Sequence, residues 1–270
     1  RRRTVMTNQK ILIVCHEMAP YTDLTEQAIF LRDLALNLQK RGAEIRVFMP
    51  KFGHIKERKH RLHEVIRLSG LNITVGRNNN PLIIKVASLQ TAKIQVYFLD
   101  NEDFFQRKNF FHDDGDKFYE DNDERAIFYN KGVLELLVKL GWMPDVIHCQ
   151  GWLSGLVPAY ARTTFSSEPS LKKVKLISSI YHDGLKNNLG ADFVKKSHLK
   201  LPDGDFGYLD DPKVSDLYKC GANFSDIVVF SSDQVDKETD DFVSTLKKPI
   251  LDIRKNQGDS FYDKYFELIS

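Results

Sequence analysis

The sequence predicts a doubly wound α/β domain, with a central parallel sheet, helices on both faces and an antiparallel insertion. Three observations carry this prediction. Short, continuously apolar runs such as residues 11–15 are typical of parallel strands that are buried on both faces. Stretches with helical periodicity follow several of these runs, which gives strand–helix–strand units with right-handed crossovers. Three closely spaced runs in the middle of the chain are typical of antiparallel strands.

The first strand–helix–strand unit lies within residues 11–49. Residues 11–15 predict the first strand, near the middle of the sheet, and residues 24–41 predict a helix. Gly42 follows two basic residues, which is a helix stop signal. Residues 45–49, closed by Pro50, predict the second strand.

The later elements follow the same alternation. Antiparallel strands at the sheet edge are predicted at 71–75, 82–86 and 94–99. A long amphipathic helix is predicted at 123–140, and three parallel strands at 145–149, 174–180 and 227–230. Helices are predicted at 153–162, 215–221 and 234–246. We expect a disordered leader over residues 1–8 and a single domain over residues 9–270.

The overall composition argues against two classes of partner. The chain has 39 basic and 37 acidic residues, a formal charge of +2, so neither nucleic acid nor a membrane surface is expected to bind. No apolar run reaches the roughly 20 residues that span a bilayer. Cys15, Cys149 and Cys220 are odd in number and form no CxxC pair, which predicts buried thiols in a reducing compartment. No signal-peptide pattern precedes the first strand, and a cytoplasmic location is predicted.

Common catalytic motifs are missing from the sequence. The first strand is not followed by GxGxxG, and no P-loop, zincin or nucleophile-elbow pattern occurs. The eight histidines show no metal-ligand spacing with nearby carboxylates, so neither a metal nor a cofactor is predicted. His60 and His63 lie among lysines and arginines, which favours a solvated basic surface.

Five segments, in order along nearly the whole chain, resemble the glycogen/starch synthase family. Residues 11–53 contain an A-P dipeptide before the first predicted helix and an MPKFG run after the second strand, as the opening of that family does. The others are YFLDNEDFFQRKNFF at 97–111, YEDNDERAIF at 119–128, PDVIHCQGWLSGLVP at 144–158 and KCGANFSDIVVFSS at 219–232.

This resemblance implies a fold and an activity. The family has two doubly wound domains that face each other across a cleft, the GT-B arrangement. Its reaction transfers glucose from ADP-glucose to an α-1,4-glucan with retention, and its C-terminal domain carries most of the donor site. The chain resembles only the N-terminal domain, which presents the glucan acceptor. Because 270 residues amount to about one such domain, we expect the donor-binding domain to be absent.

The loop after the first strand departs from the family pattern. The family's K-x-G-G-L loop places its phosphate-facing lysine at Asp23 and its two glycines at Thr25 and Glu26. Asp23 and Glu26 predict a capping box, which would occupy the helix N-terminus that an anion otherwise uses. A diphosphate about 4 Å from such a carboxylate is repelled by ~1 kcal/mol in water and ~4 kcal/mol at a partly buried site. The loop is therefore expected to disfavour a nucleotide sugar.

Two more departures concern the cleft that the resemblance implies. The family's D-W-H-T run becomes Gly151–Trp152–Leu153–Ser154. The family's catalytic histidine falls at Tyr181, and His182 recovers it only by a one-residue slip that turns the ring to the other face. His182 is the candidate catalytic residue, and a loop histidine bonded to Asp183 is the competing interpretation. By position in the motifs, the substrate-binding candidates are Tyr21, Asp23, Gln150, Trp152 and Tyr181, although Trp152 also suits the core.

Three functional hypotheses stay open from the sequence. The first is a glucosyltransferase completed by a separately encoded donor domain or by a second copy of the chain. The second is a glucan-binding or partner-docking module that does not transfer glucose, and the third is a cleft reused for another small molecule. A partner, a second copy or an α-glucan is expected to cover the cleft, unless the aromatic C-terminal stretch 261–268 folds back over it.

Overall fold

A computed structural model describes residues 8–270 of the chain. Its strands are β1 (Lys10–Val14), β2 (Glu44–Pro50), β3 (His63–Glu64), β4 (Leu71–Val75), β5 (Asn78–Leu89), β6 (Ile94–Asp100), β7 (Val146–Gln150), β8 (Lys175–Ile180), β9 (Ile227–Phe230) and β10 (Ile250–Asp252). Its helices are α1 (Glu26–Lys40), α2 (Glu57–His60), α3 (Glu102–Phe105), α4 (Asn122–Leu140), α5 (Val157–Arg162), α6 (Phe193–Ser197), α7 (Val214–Phe224), α8 (Lys237–Leu246) and α9 (Asp259–Ile269).

The sheet is mostly parallel, as predicted. Its parallel part has the spatial order β10–β9–β8–β7–β1–β2–β6, and β1 lies in the middle, between β2 and β7. β5 pairs antiparallel with β6, and both β3 and β4 pair antiparallel with β5. The antiparallel insertion is therefore confirmed, with one correction. β6, which was expected to be wholly antiparallel, also pairs parallel with β2 and so joins the insertion to the main sheet.

Several element boundaries differ from the predictions. The helix expected at 153–162 is a 3₁₀ turn, Trp152–Ser154, followed by the short helix α5 with Pro158 in its first turn. The polar loop after β8 contains the short helix α6. Strand β10 was not predicted, because its three residues carry no readable periodicity.

The helices cover both faces of the sheet. In the sheet, β2 lies on one side of β1, whereas β8 lies on the opposite side of β7. Right-handed crossovers between these parallel strands therefore place α1 on one face of the sheet and α5 on the other. Phe261 of α9 contacts Phe30 of α1, with ring centroids 6.3 Å apart, so α9 joins the α1 layer. The C-terminal aromatic stretch thus covers a face of the sheet rather than the carboxyl ends of its strands.

Two glycines bring α5 and α7 together on the opposite face. A Cβ on Gly155 would overlap the Leu217 carbonyl of α7, and one on Gly221 would lie 2.8 Å from Ser178 Oγ. Gly221 is the glycine of the KCGAN segment. Its identity is therefore explained by close packing rather than by ligand contact.

Three further predictions concern the leader, the cysteines and membrane-spanning segments. The leader expected over residues 1–8 lies, apart from Asn8, outside the described residues. Cys15, Cys149 and Cys220 are buried free thiols. Across residues 8–270, no helix combines the length and the apolar character that crossing a bilayer requires.

Candidate functional site

A cleft of about 1290 Å³ opens at the carboxyl ends of the parallel strands. Its walls are formed by the loop between β1 and α1, the segment after β2, the loop ahead of α4 and the segment after β8. The order in which strands are added to the sheet reverses between the parallel neighbours β1 and β7. Open α/β sheets bind ligands at such a switch point. Four of the sequence candidates line this cleft: Tyr21, Asp23, Tyr181 and His182.

The loop between β1 and α1 satisfies its own hydrogen bonds. Thr25 is the N-cap of α1: its Oγ1 accepts the Ala28 N–H at 3.0 Å and its hydroxyl donates to Glu17. Glu17 Oε2 also lies 3.1 Å from His16 Nε2. Burial would raise the pKa of Glu17, but the His16 contact and the Thr25 hydrogen bond bring that pKa below its usual value. A charged carboxylate therefore sits beside the start of α1.

The capping box predicted from Asp23 and Glu26 is wrong. Asp23 instead turns the chain before the helix, because its carbonyl accepts the Thr25 N–H at 2.8 Å. Both Asp23 and Glu26 are exposed and line the cleft. The predicted acidic character of the loop is present, but Thr25, with Glu17 behind it, occupies the helix N-terminus.

Gly151 follows β7 and lies against His16 and Tyr181, which line the cleft. Its φ of +84° is a left-handed conformation that glycine adopts without strain. A Cβ there would lie 3.3 Å from His16 Nδ1 and 3.4 Å from Tyr181 Cε1. The position that holds an acid in the resembling family therefore disfavours one here, because the backbone conformation suits glycine and His16 and Tyr181 crowd the Cβ position.

Arg125 of α4 fixes the backbone of the loop that carries Phe110, an aromatic residue that lines the cleft. The Arg125 guanidinium donates to the Phe104 carbonyl at 2.7 Å, the Phe110 carbonyl at 2.6 Å and Asn122 Oδ1 at 2.7 Å. Burial lowers the pKa of Arg125 to about 10. The Phe110 ring meets the edge of the His16 ring, with centroids 5.3 Å apart. Helix α4 thus positions the loop that faces β1 across the cleft.

His182 lies at the rim of the cleft, and its partner differs from the expected one. Its Nδ1 is 2.7 Å from Asp236 Oδ1, and its backbone N–H donates to Ser232 Oγ. Asp183, the partner considered from the sequence, instead accepts the Tyr218 hydroxyl at 2.9 Å. The side chain of Asp236 is 45% exposed, so this is a solvated surface pair.

Three candidates are largely enclosed. Trp152 is fully buried, contacts Phe111 with ring centroids 4.8 Å apart, and its Nε1–H has no partner among the described residues. It is a core residue, which is the alternative left open above. Gln150 is also buried, beneath the cleft, and hydrogen-bonds other side chains. Tyr21 lines the cleft but is only 5% exposed.

Acidic side chains outnumber lysines around the cleft. Seven carboxyl side chains line it, against three lysines and five histidines. The carboxylates are Glu17, Asp23, Glu26, Asp113, Asp114, Asp116 and Asp183, and the lysines are Lys56, Lys59 and Lys108. Within residues 8–270, no group of three or more His, Cys, Asp or Glu side chains is placed to bind a metal ion. The lining thus favours a neutral ligand over a polyanion.

Comparison with known proteins identifies the family of this chain. The family model for the starch synthase catalytic domain matches residues 10–244 of this chain. The chain belongs to this family. A glycogen synthase from Chlorobaculum parvum is 36% identical over 234 residues, which are 86% of this chain and 47% of the relative. A glycogen synthase from Chlorobium chlorochromatii is 39% identical over 201 residues, 73% of this chain and 40% of the relative.

A solved structure has the same fold. The catalytic domain of starch synthase IV from Arabidopsis thaliana, bound to ADP and acarbose, aligns with a TM-score of 0.70 at 19% identity. The alignment covers 83% of this chain and 45% of that one. The chain thus spans about half the length of the curated relatives and of the solved structure that it matches.

Sequence reasoning missed three polar residues of the site. Glu17 and Thr25 interact across eight positions of one loop, and no motif signals such a pair. Asp236 lies 54 residues from His182, and only the parallel pairing of β8 with β9 brings them together. The burial pattern of the strands could predict the location of the cleft but not these contacts.

Proposed function

We propose that the cleft binds an α-1,4-glucan and that this domain by itself neither binds a nucleotide sugar nor transfers glucose. The excess of carboxylates around the cleft carries the proposal. A nucleoside diphosphate sugar brings about two negative charges into this field, and each carboxylate near it costs ~1–4 kcal/mol, depending on solvent exposure. A glucan is uncharged and pays no such cost.

The loop after β1 supports the same proposal. In a nucleotide-binding loop, the free N–H groups at a helix start bind phosphate. Here Thr25 occupies that position, and the charged Glu17 lies behind it. An anion would have to displace an internal hydrogen bond and approach a carboxylate.

The cleft also offers surfaces that suit sugars. Phe110 and Tyr181 line it and are partly exposed, and aromatic faces of this kind pack against the apolar faces of sugar rings. Family membership supports a glucan as the ligand, because the relatives are glycogen synthases and the Arabidopsis domain was solved with acarbose. We extend the proposal to a GT-B half-domain in the cytoplasm, whose cleft is covered by a second domain, a separately encoded partner or a second copy.

A second candidate function is glucose transfer from ADP-glucose. One observation favours it: the Asp236 contact gives the exposed His182 ring a fixed partner at the cleft rim. In this candidate His182 contacts the sugar of ADP-glucose bound in this cleft, and a domain outside the described one supplies the rest of the donor site.

Calorimetry separates the two candidates. Maltoheptaose and ADP-glucose are titrated separately into the purified 270-residue chain. The proposal expects heat from maltoheptaose alone. Heat from ADP-glucose with a well-defined stoichiometry contradicts it and favours the transferase, and no heat from maltoheptaose contradicts glucan binding.

A further inference from the structure

A chain of buried polar side chains runs from helix α9 to the floor of the cleft. Tyr265 of α9 lies 2.8 Å from His148 Nδ1, and His148 Nε2 lies 2.9 Å from Gln150 Oε1. Gln150 Nε2 reaches Gln27 Oε1 at 2.9 Å and Ser231 Oγ at 2.8 Å. All five side chains are at least nine-tenths buried, and Gln27 lines the cleft.

The direction of these hydrogen bonds follows from the chemistry of the groups. Burial lowers the pKa of His148 to about 4, so the ring is neutral and carries one N–H. Gln150 Oε1 can only accept, so that N–H is on Nε2 and Nδ1 accepts from the Tyr265 hydroxyl. Gln150 Nε2 then donates to Gln27 Oε1 and to Ser231 Oγ, whose own hydrogen goes to the Ile180 carbonyl at 3.1 Å.

The opposite direction leaves unfavourable contacts. If both amides were flipped, Gln27 Oε1 would lie 3.5 Å from the Ser231 carbonyl oxygen, and two acceptors would face each other. His148 would then donate from Nδ1, and the buried Tyr265 hydroxyl would lose its acceptor. Only in the first direction do the donors of Tyr265, His148, Gln150 and Ser231 all find acceptors.

This direction leaves a donor at the end of the chain of bonds. Gln27 Nε2 carries two hydrogens, and among the described residues its only partner is the Ser231 carbonyl, at the long distance of 3.5 Å. A nearly buried N–H on a cleft residue is costly unless something accepts it. An oxygen of a bound ligand can take that role.

We propose that Gln27 donates a hydrogen bond to a hydroxyl oxygen of a carbohydrate bound in the cleft, and that Gln150, His148 and Tyr265 are positioning residues that fix the orientation of its amide. The ligand class rests on the proposed function. Gln27 stands where the resembling family's loop has leucine, so this donor is a feature of this chain. The C-terminal helix thereby contributes to ligand recognition without touching the cleft.

Two substitutions and one control test the proposal by maltoheptaose calorimetry. Gln27→Leu removes the donor and is expected to weaken binding about tenfold. Tyr265→Phe leaves Gln27 in place but removes the donor to His148, and is expected to weaken binding about threefold to fivefold. Tyr262→Phe is the matched control, because it removes a hydroxyl of the same helix that bonds Asn37 outside this chain of bonds. The control is expected to match the wild type.

Imidazole and side-chain amide NMR of the same proteins provides a readout that needs no ligand. The Nε2–H tautomer of His148, with Gln27 amide signals that move in Tyr265→Phe and not in Tyr262→Phe, supports the positioning role. The Nδ1–H tautomer, or Gln27 signals that do not move, overturns it. Wild-type binding that Gln27→Leu leaves unchanged overturns the ligand contact. Absence of wild-type binding contradicts the proposed glucan ligand. The NMR result still decides whether Tyr265, His148 and Gln150 orient the Gln27 amide.

Discussion

Thr25 donates its hydroxyl hydrogen to Glu17, and its oxygen caps helix α1 by accepting the Ala28 N–H. One side chain thus satisfies the helix start and binds a charged carboxylate. This pair keeps the positive end of α1 occupied from within the protein.

Thr25→Val is expected to destabilise the protein by about 1–2 kcal/mol, because it removes the cap and leaves Glu17 with one fewer donor. Thr25→Ser keeps the hydroxyl and is expected to cost less than half as much. Urea unfolding followed by circular dichroism measures both variants. Equal stability of Thr25→Val and the wild type would show that the hydroxyl contributes nothing to the loop.

Gly151→Asp, which restores the family's acid, is expected to be poorly tolerated. A left-handed φ costs a non-glycine residue about 1–2 kcal/mol, and crowding against His16 and Tyr181 adds to that cost. Gly42→Asp is the matched control, because Gly42 has φ +101° and open space around its Cβ position. Thermal unfolding is expected to show the larger loss for Gly151→Asp. Equal losses would mean that the space between His16 and Tyr181 has room for the acid.

His148 is expected to make folding stability depend on pH. Its pKa is 6.5 when unperturbed and about 4 in the folded protein, so below pH 6.5 the unfolded chain binds a proton that the folded chain does not. Stability therefore falls as the pH drops from 6.5 to 4, by about 3 kcal/mol from this group. His148→Gln, compared with the wild type by urea unfolding at several pH values, is expected to flatten that part of the profile. Parallel profiles would contradict the buried neutral ring.

Sequence reasoning reached most of the fold, for physical reasons that particular elements illustrate. Strand β1 is continuously apolar because both of its faces are buried, and so its central place could be predicted. Strand β10 could not, because three residues carry no periodicity. Gly221 was recognised as part of a motif, but only the structure shows that it is a point of close helix packing.

The candidate site was harder to predict than the fold. Tyr181 and His182 follow a strand, and strand ends meet at the cleft, so their location could be predicted. Partners such as Asp236, and the hydrogen bonds from Tyr265 to Gln27, depend on which distant strands and helices become neighbours. No local sequence pattern records that information.

The proposal that this domain does not transfer glucose by itself is tested most directly with radiolabelled ADP-glucose. The measurement is incorporation of labelled glucose into glycogen by the purified chain. We expect no incorporation above a heat-killed control, while the same preparation binds maltoheptaose in calorimetry. His182→Ala identifies the origin of any signal. If incorporation exceeds the control and His182→Ala abolishes it, the proposed function is contradicted. Such a result would show that this cleft accepts a nucleotide sugar despite its carboxylates.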